Sequence, residues 1–291
     1  MQLGMIGLGK MGGNMKRRLQ GAGHEVIGYD LNPAGADVDS LGALVEQLEA
    51  PRVVWVMVPA GEPTRATVFE LAELLEPGDI VVEGGNSRFS DDAANAEVLA
   101  KRGIGYVDAG VSGGVWGYDN GYALMVGGEE THVRFLKPIF DSLIPEGGYG
   151  FVHAGGVGAG HYAKMIHNGI EYGMMAAYAE GYELLEASEY IDNPAEVIKS
   201  WRGGTVVRSW LLDLLDRALD ADPSLEAFQG KAQDSGEGRW TVDEAVRLGV
   251  PAHVITASLF ARFASRQDDA PAMKAIQALR NQFGGHNSPE R

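Results

Sequence analysis

The spacing of apolar positions changes partway along the chain. In the first half, short apolar runs at 3–6, 25–29, 53–58, 80–82 and 104–108 alternate with helically spaced stretches at 14–19, 64–75 and 92–102. The run 53–58 is apolar throughout, as expected of a central parallel strand covered on both faces. Residues 116–122 read as a loop, 123–126 as another strand and 131–143 as another helix. This alternation predicts a doubly wound α/β sheet. From 157 onward only helical spacing remains. Asn193-Pro194 opens one helix, 209–219 forms the next, and Thr241-Val-Asp-Glu244 reads as a capping box ahead of 245–248. Stretches at 251–265 and 273–283 complete the series, and 284–291 reads as a mobile tail. The glycine run 155–160 marks the junction. The expected organisation is a Rossmann-type doubly wound domain over 1–156 and an all-α domain over 157–291.

The first strand runs into Gly7-Leu8-Gly9-Lys10-Met11-Gly12 and then a helix, which is G-x-G-x-x-G in its strand–turn–helix setting. Gly7 permits the tight turn, Gly9 lets backbone approach a pyrophosphate, and Gly12 allows close helix packing. The second strand ends in Asp30-Leu31, about twenty residues further on, where a carboxylate can accept hydrogen bonds from an adenosine ribose. Val58-Pro59-Ala60 closes the third strand at its carboxyl end, the side on which doubly wound sheets bind cofactors. Two further strand ends, Gly-Gly-Asn86-Ser87 and Val-Ser112-Gly113-Gly114, expose backbone N–H groups and a hydroxyl that could hold a carboxylate without adding charge. Taken singly, each of these loops also reads as an ordinary glycine turn.

In the stretch 158–172, Lys164, His167, Asn168, Glu171 and Tyr172 fall on one face of a helix, while Met165, Ile166, Ile170 and Met174 occupy the others. Apolar flanks predict a buried helix whose polar stripe lines a cleft.

The run Lys164-Met-Ile-His-Asn-Gly-Ile-Glu-Tyr172 resembles the substrate-domain signature of the 6-phosphogluconate dehydrogenases, decarboxylating members of the β-hydroxyacid dehydrogenase superfamily. The resemblance implies oxidation and decarboxylation of 6-phosphogluconate. Lys164 would be the base, held neutral, and Glu171 the acid that protonates the product carbon. Asn86, Ser112, Gly113, Gly114, His167, Asn168 and Tyr172 would orient substrate. Arg280-Asn-Gln-Phe-Gly-Gly-His286 resembles the family segment that reaches a neighbouring subunit's site, and Phe260-Ala-Arg262 the segment whose Arg faces the substrate phosphate. Arg262, Arg280 and His286 are the expected phosphate ligands, and a homodimer or homotetramer is the expected assembly. Where NADP-using members resemble Asn-Arg-Thr, this chain reads Asp30-Leu31-Asn32, so the resemblance implies NAD in preference to NADP. The chain also departs from the family: Ser235 stands where a phosphate-binding Lys is expected, with Arg239 as a possible replacement. It has room for one copy of a helical domain that longer members duplicate.

Composition narrows the remaining classes. The 291 residues, 45% hydrophobic and 22% charged, describe an ordinary globular chain with no apolar run long enough to span a bilayer. A net charge of −16 argues against nucleic-acid and acidic-membrane partners, and zero cysteines exclude disulfides and thiolate metal sites. Met1 leads straight into a strand, so a cytoplasmic enzyme without a leader is expected. Seven histidines show no carboxylate–histidine cluster at ligand spacing, and no metal is expected. Two other readings stay open: a relative of 3-hydroxyisobutyrate dehydrogenase with an unphosphorylated substrate, and an inactive dinucleotide-binding protein.

Overall fold

The computed structural model describes residues 1–284. The described residues fall into two compact units, one over Met1–His167 and the other from Asn168 onward.

The first unit is built on a seven-stranded sheet in the order β2-β1-β3-β4-β5-β6-β7. Its strands are β1 (Gln2–Ile6), β2 (Glu25–Tyr29), β3 (Val53–Val56), β4 (Ile80–Glu83), β5 (Gly105–Ser112), β6 (Ala123–Gly128) and β7 (Phe151–Gly155). The first five are parallel, β6 runs antiparallel to β5, and β7 is parallel to β6. Between them lie α1 (Lys10–Gly21), α2 (Leu41–Glu46), α3 (Glu62–Leu74), α4 (Phe89–Ala100), α5 (Gly117–Asn120) and α6 (Glu130–Leu143).

Side-chain alternation explains the uniformly apolar strands. Val53, Trp55, Ile80 and Val82 face a core shared with Met15 and Leu19 of α1 and with Leu136 and Phe140 of α6. Val54, Val56 and Val81 face the opposite core, with Leu44 of α2, Leu71 of α3 and Leu99 of α4. Both faces are covered, which is the doubly wound arrangement predicted from the sequence. The strand order reverses where β1 lies between β2 and β3, so the crevice beyond their carboxyl ends is the place for a ligand.

Three local readings change. A 3-10 turn, Gly114–Trp116, runs up to the expected loop at 116–122, most of which is α5. Two elements that apolar spacing does not announce, α2 and β7, are present. Thr241 is not a capping residue.

The second unit continues α7 (Ala159–Glu186) and adds α8 (Pro194–Ser200), α9 (Trp210–Ala221), α10 (Glu237–Leu248), α11 (His253–Ser265) and α12 (Pro271–Gly284). Asn193 caps α8 by accepting from the Glu196 N–H at 3.2 Å, and Ser209 caps α9 through the Leu212 N–H at 3.1 Å. Ile198, Leu212 and Leu219 form a core with Tyr178 and Tyr182 of α7. Helix α10 begins four residues ahead of Thr241, whose hydroxyl donates back to the Glu237 carbonyl at 2.8 Å from inside the helix.

Candidate active site

The glycine loop after β1 has the packing its three glycines require. A Cβ on Gly7 would lie 2.5 Å from the Met57 carbonyl oxygen, and Gly7 has φ of 87°. A Cβ on Gly12 would overlap the Gly7 carbonyl oxygen, whereas one on Gly9 would meet nothing within 4 Å. Gly9 therefore presents bare backbone to open space at the N-terminus of α1, where unpaired N–H groups and the helix dipole favour a phosphate. Lys10 begins that helix, Met11 packs beneath it, and a cavity of about 490 Å³ is lined in part by Leu8, Gly9, Lys10, Lys16 and Arg17.

Asp30 is tied to this loop. One carboxylate oxygen accepts from the Leu8 N–H at 2.6 Å and the other from the Asn32 N–H at 2.8 Å. Each oxygen keeps a lone pair for a ribose hydroxyl. Leu31 beside it is 91% exposed. Val58 is half-buried, and Pro59 and Ala60 are exposed beyond β3. These residues fit a dinucleotide: an open backbone cradle, a helix N-terminus and an acceptor carboxylate at the switch point of the sheet.

The start of α7 packs on β5 and β6 through glycines. A Cβ on Gly110 would overlap the Lys164 Cβ and lie 2.9 Å from the Gly160 carbonyl, and a Cβ on Gly160 would lie 2.8 Å from the Asp108 carbonyl oxygen. Buried Asp108 caps this end, accepting from the backbone N–H groups of Gly158 at 2.7 Å and His161 at 2.9 Å. Lys164 is 8% exposed here. One turn later, His167 Nε2 lies 3.4 Å from the Ser112 hydroxyl at the end of β5. Gly113 and Gly114 follow with φ of 133° and 55°. Asn86 is exposed in the loop after β4, beyond buried Glu83, Gly84 and Gly85.

Within the second unit, Asn168 and Tyr172 are buried, Glu171 is half-buried, and Ile170 is 52% exposed. The polar stripe of α7 is thus largely covered, while Ile170 and Met174, expected to be buried, are exposed. The Tyr172 hydroxyl accepts from the Ser235 N–H at 3.2 Å, and the Arg262 guanidinium stacks 3.8 Å over the Tyr172 ring. Arg262 also donates to the Gln233 carbonyl at 2.7 Å. Asp234 grips Arg239 at two points, 2.7 and 3.0 Å, and Arg266 at 3.0 Å. The Ser235 hydroxyl donates to Glu237 at 2.7 Å. Arg280 is exposed on α12, and His286 lies outside the described residues.

Sequence spacing missed one constellation. Glu83, Asp92 and His161, all buried, come within 4.8 Å of one another, although 78 positions separate the first from the last. The expectation that no carboxylate–histidine cluster exists is corrected on this point; the fold makes a cluster that no local spacing reveals.

Residues 2–146 match the NAD binding domain of 6-phosphogluconate dehydrogenase, and residues 160–288 match the C-terminal domain of 6-phosphogluconate dehydrogenase. The NAD(+)-dependent, decarboxylating 6-phosphogluconate dehydrogenase of Haloferax volcanii is 42% identical over 296 residues, covering 98% of both chains. The Plasmodium falciparum 6-phosphogluconate dehydrogenase structure aligns with TM-score 0.82 at 25% identity; all of this chain covers 66% of that one. A 3-hydroxyisobutyrate dehydrogenase from Mycobacterium tuberculosis aligns with TM-score 0.70 at 25% identity, over 96% of this chain and 99% of that one. Fold, cradle and relatives together define an oxidoreductase that uses a nicotinamide dinucleotide. The chain belongs to the 6-phosphogluconate dehydrogenase family.

Proposed function

We propose that the protein oxidises 6-phosphogluconate and decarboxylates it to ribulose 5-phosphate and CO₂, with NAD preferred over NADP. The observation that carries this reading is Lys164, buried at the glycine-packed start of α7, with Glu171 two turns further along the same helix. When bound, the dinucleotide supplies the hydride acceptor. Lys164 takes the proton of the C3 hydroxyl as the hydride leaves that carbon. The resulting ammonium then donates a hydrogen bond to the new C3 ketone oxygen. The C1–C2 bond then breaks as CO₂ departs, its electron pair forming the C2=C3 double bond while the C3 oxygen takes the Lys164 proton to give an enediol. Glu171 protonates C2 as Lys164 takes back the C3 hydroxyl proton, leaving the product ketone. His167, Asn168, Asn86, Ser112, Gly113 and Gly114 orient the sugar acid, and such orientation is worth several kcal/mol of barrier.

Arg262 is the proposed phosphate ligand within one chain, with Arg280 and His286 supplied by a second copy. The exposed Met273, Ile276 and Leu279 along α12 support self-association, because a single chain leaves this apolar stripe uncovered. Asp30 supports NAD: its carboxylate can receive ribose hydroxyls but repels a 2′-phosphate. Among the described residues, no helix is long and apolar enough to cross a membrane.

The test is absorbance at 340 nm with purified protein, 6-phosphogluconate, and either NAD or NADP, together with CO₂ release. A second reading, an unphosphorylated β-hydroxyacid substrate, is favoured by Ser235 in the place of a Lys and by the grip of Asp234 on Arg239. Turnover of gluconate at least equal to that of its 6-phosphate would establish it instead. NADH binding without turnover of either would point to an inactive dinucleotide-binding protein.

A further inference from the structure

His161 lies one turn before Lys164 on α7 and is 1% exposed. Its Nδ1 is 2.8 Å from one oxygen of Asp92 on α4 and 2.9 Å from the other, and its Nε2 faces Glu83 at the end of β4 at 3.6 Å. The Tyr106 hydroxyl of β5 donates to Asp92 at 2.7 Å, and Asp108 of β5 holds the His161 backbone N–H. The second oxygen of Glu83 accepts from the Gly85 N–H at 2.7 Å, one residue before Asn86. Glu83 Oε2 and His161 Nε2 are buried without a hydrogen-bond partner among the described residues, so the step between them is an electrostatic one across 3.6 Å, and it links the Asn86 loop to the first turns of α7.

The chemistry of this cluster suits an imidazolium better than a metal ion. One ligand atom from each of the three residues lies within 4.8 Å of the others, but His161 Nδ1 is already engaged by both Asp92 oxygens and Asp92 also accepts from Tyr106, so its carboxylate is committed to hydrogen bonds. Burial alone lowers the His161 pKa. The Asp92 hydrogen bond and the charges of Glu83, Asp92 and Asp108 outweigh it and raise the value to about 9. Burial pushes the Glu83 and Asp92 carboxyls upward, as expected for acids crowded together out of water. Removing the imidazole would leave those carboxyls buried without their cationic partner, a large cost.

We infer that His161 is a positioning residue: by bridging Asp92 and Glu83 it fixes the start of α7, and with it Lys164, against the loop that carries Asn86. The inference rests on the proposed roles of Lys164 and Asn86. Its closing experiment therefore includes a readout that does not need turnover.

His161→Gln and His161→Asn each retain an amide able to reach one carboxylate. For both variants, hydrogen–deuterium exchange of residues 84–87 and 159–164 is measured alongside melting temperature, kcat, KM and the pH profile. Exchange in both segments is expected to quicken about tenfold or more while the protein stays folded. The kcat for 6-phosphogluconate should fall by roughly ten- to a hundredfold, with the KM for NAD within about threefold of native, because a misplaced lysine affects the chemical step. Native activity should decline as pH rises through about 9, and the variants should lack that limb. In native protein, the same two segments should lose protection between pH 7 and pH 10 after correction for intrinsic exchange, which reads the bridge even if neither variant folds. Unchanged exchange in both segments overturns the inference. So do kcat values within twofold of native, or stoichiometric metal in the purified protein that both variants lose. Absence of any turnover by native protein would defeat the proposed reaction, while the exchange readout would still decide the role of His161.

Discussion

Gly110 on β5 and Lys164 on α7 approach so closely that a Cβ on the glycine would overlap the lysine Cβ. No side chain can be accommodated there without moving the helix. The position of Lys164 in the first unit is thus set by the absence of a methyl group on the neighbouring strand, with Gly160 making the matching approach from the helix side.

Gly110→Ala should therefore act on Lys164 without altering its chemistry. Overpacking of this kind costs about 1–3 kcal/mol of stability. A displacement near 1 Å at a reacting group costs on the order of a hundredfold in rate. Thermal melts and steady-state kinetics at a temperature where the variant is folded would measure both effects. Native kcat in a folded Gly110→Ala protein would show that the approach does not constrain the lysine.

Lys164→Met and Glu171→Gln separate the two proposed proton transfers. The first should lower oxidation by about 10²- to 10⁴-fold, the usual range for a general base, with NADH affinity by fluorescence nearly unchanged. The second should slow protonation of the product carbon more than hydride transfer or CO₂ release, visible as a burst of reduced cofactor and CO₂ that outruns ribulose 5-phosphate. Equal slowing of all three steps would remove Glu171 from the role of acid.

The sequence made the nucleotide-binding half legible because its cues are local. Apolar strands, glycine turns and a terminal Asp30 each lie within a few residues of the structure they specify. The sheet reads the same way in three dimensions: Val53 and Trp55 serve one core, and Val54 and Val56 the other. What escaped depends on distant partners. Strand β7 carries His153 and Ala154 within a weak apolar pattern and is defined by pairing with β6. Gly236, with φ of 107°, is the cap of α10 and lies five residues ahead of the apparent capping box at Thr241. The partners of His161 lie 69 and 78 positions away; its only local hint is a titratable residue placed among glycines one turn before a lysine.

Cofactor choice should follow the turn after β2. Asp30 holds the Leu8 N–H, so its carboxylate is fixed beside the glycine loop. Like charges about 5 Å apart at an effective dielectric near 20 cost roughly 3 kcal/mol, on the order of a hundredfold. Native kcat/KM should favour NAD by about that factor. The combined change Asp30→Asn, Leu31→Arg and Asn32→Thr should narrow or reverse the preference, since arginine offers a 2′-phosphate a bidentate partner. A native preference for NADP would end this account of Asp30.

Asp234 gives the helical unit a pH dependence of defined sign. Hydrogen bonding to Arg239 lowers its pKa first; burial opposes this, and Arg266 adds to the lowering, so that the value falls from 3.8 to about 2. Its side chain is 4% exposed, but that of Arg239 is 52% exposed, so solvent screens part of the pair. Because the folded-state pKa lies below the unfolded value, the stabilisation is present in full above about pH 4 and lost as pH falls toward 2. After allowance for that screening the contribution is on the order of 1 kcal/mol. Asp234→Asn should be less stable than native at pH 6, and the gap should shrink steadily between pH 4 and pH 2, as read from urea midpoints. The substitution also frees the Arg239 guanidinium from its two-point grip. If Arg239 replaces the phosphate contact missing at Ser235, the variant should show a lower KM for 6-phosphogluconate and an unchanged KM for gluconate. Parallel shifts in both KM values would assign Arg239 a structural role alone.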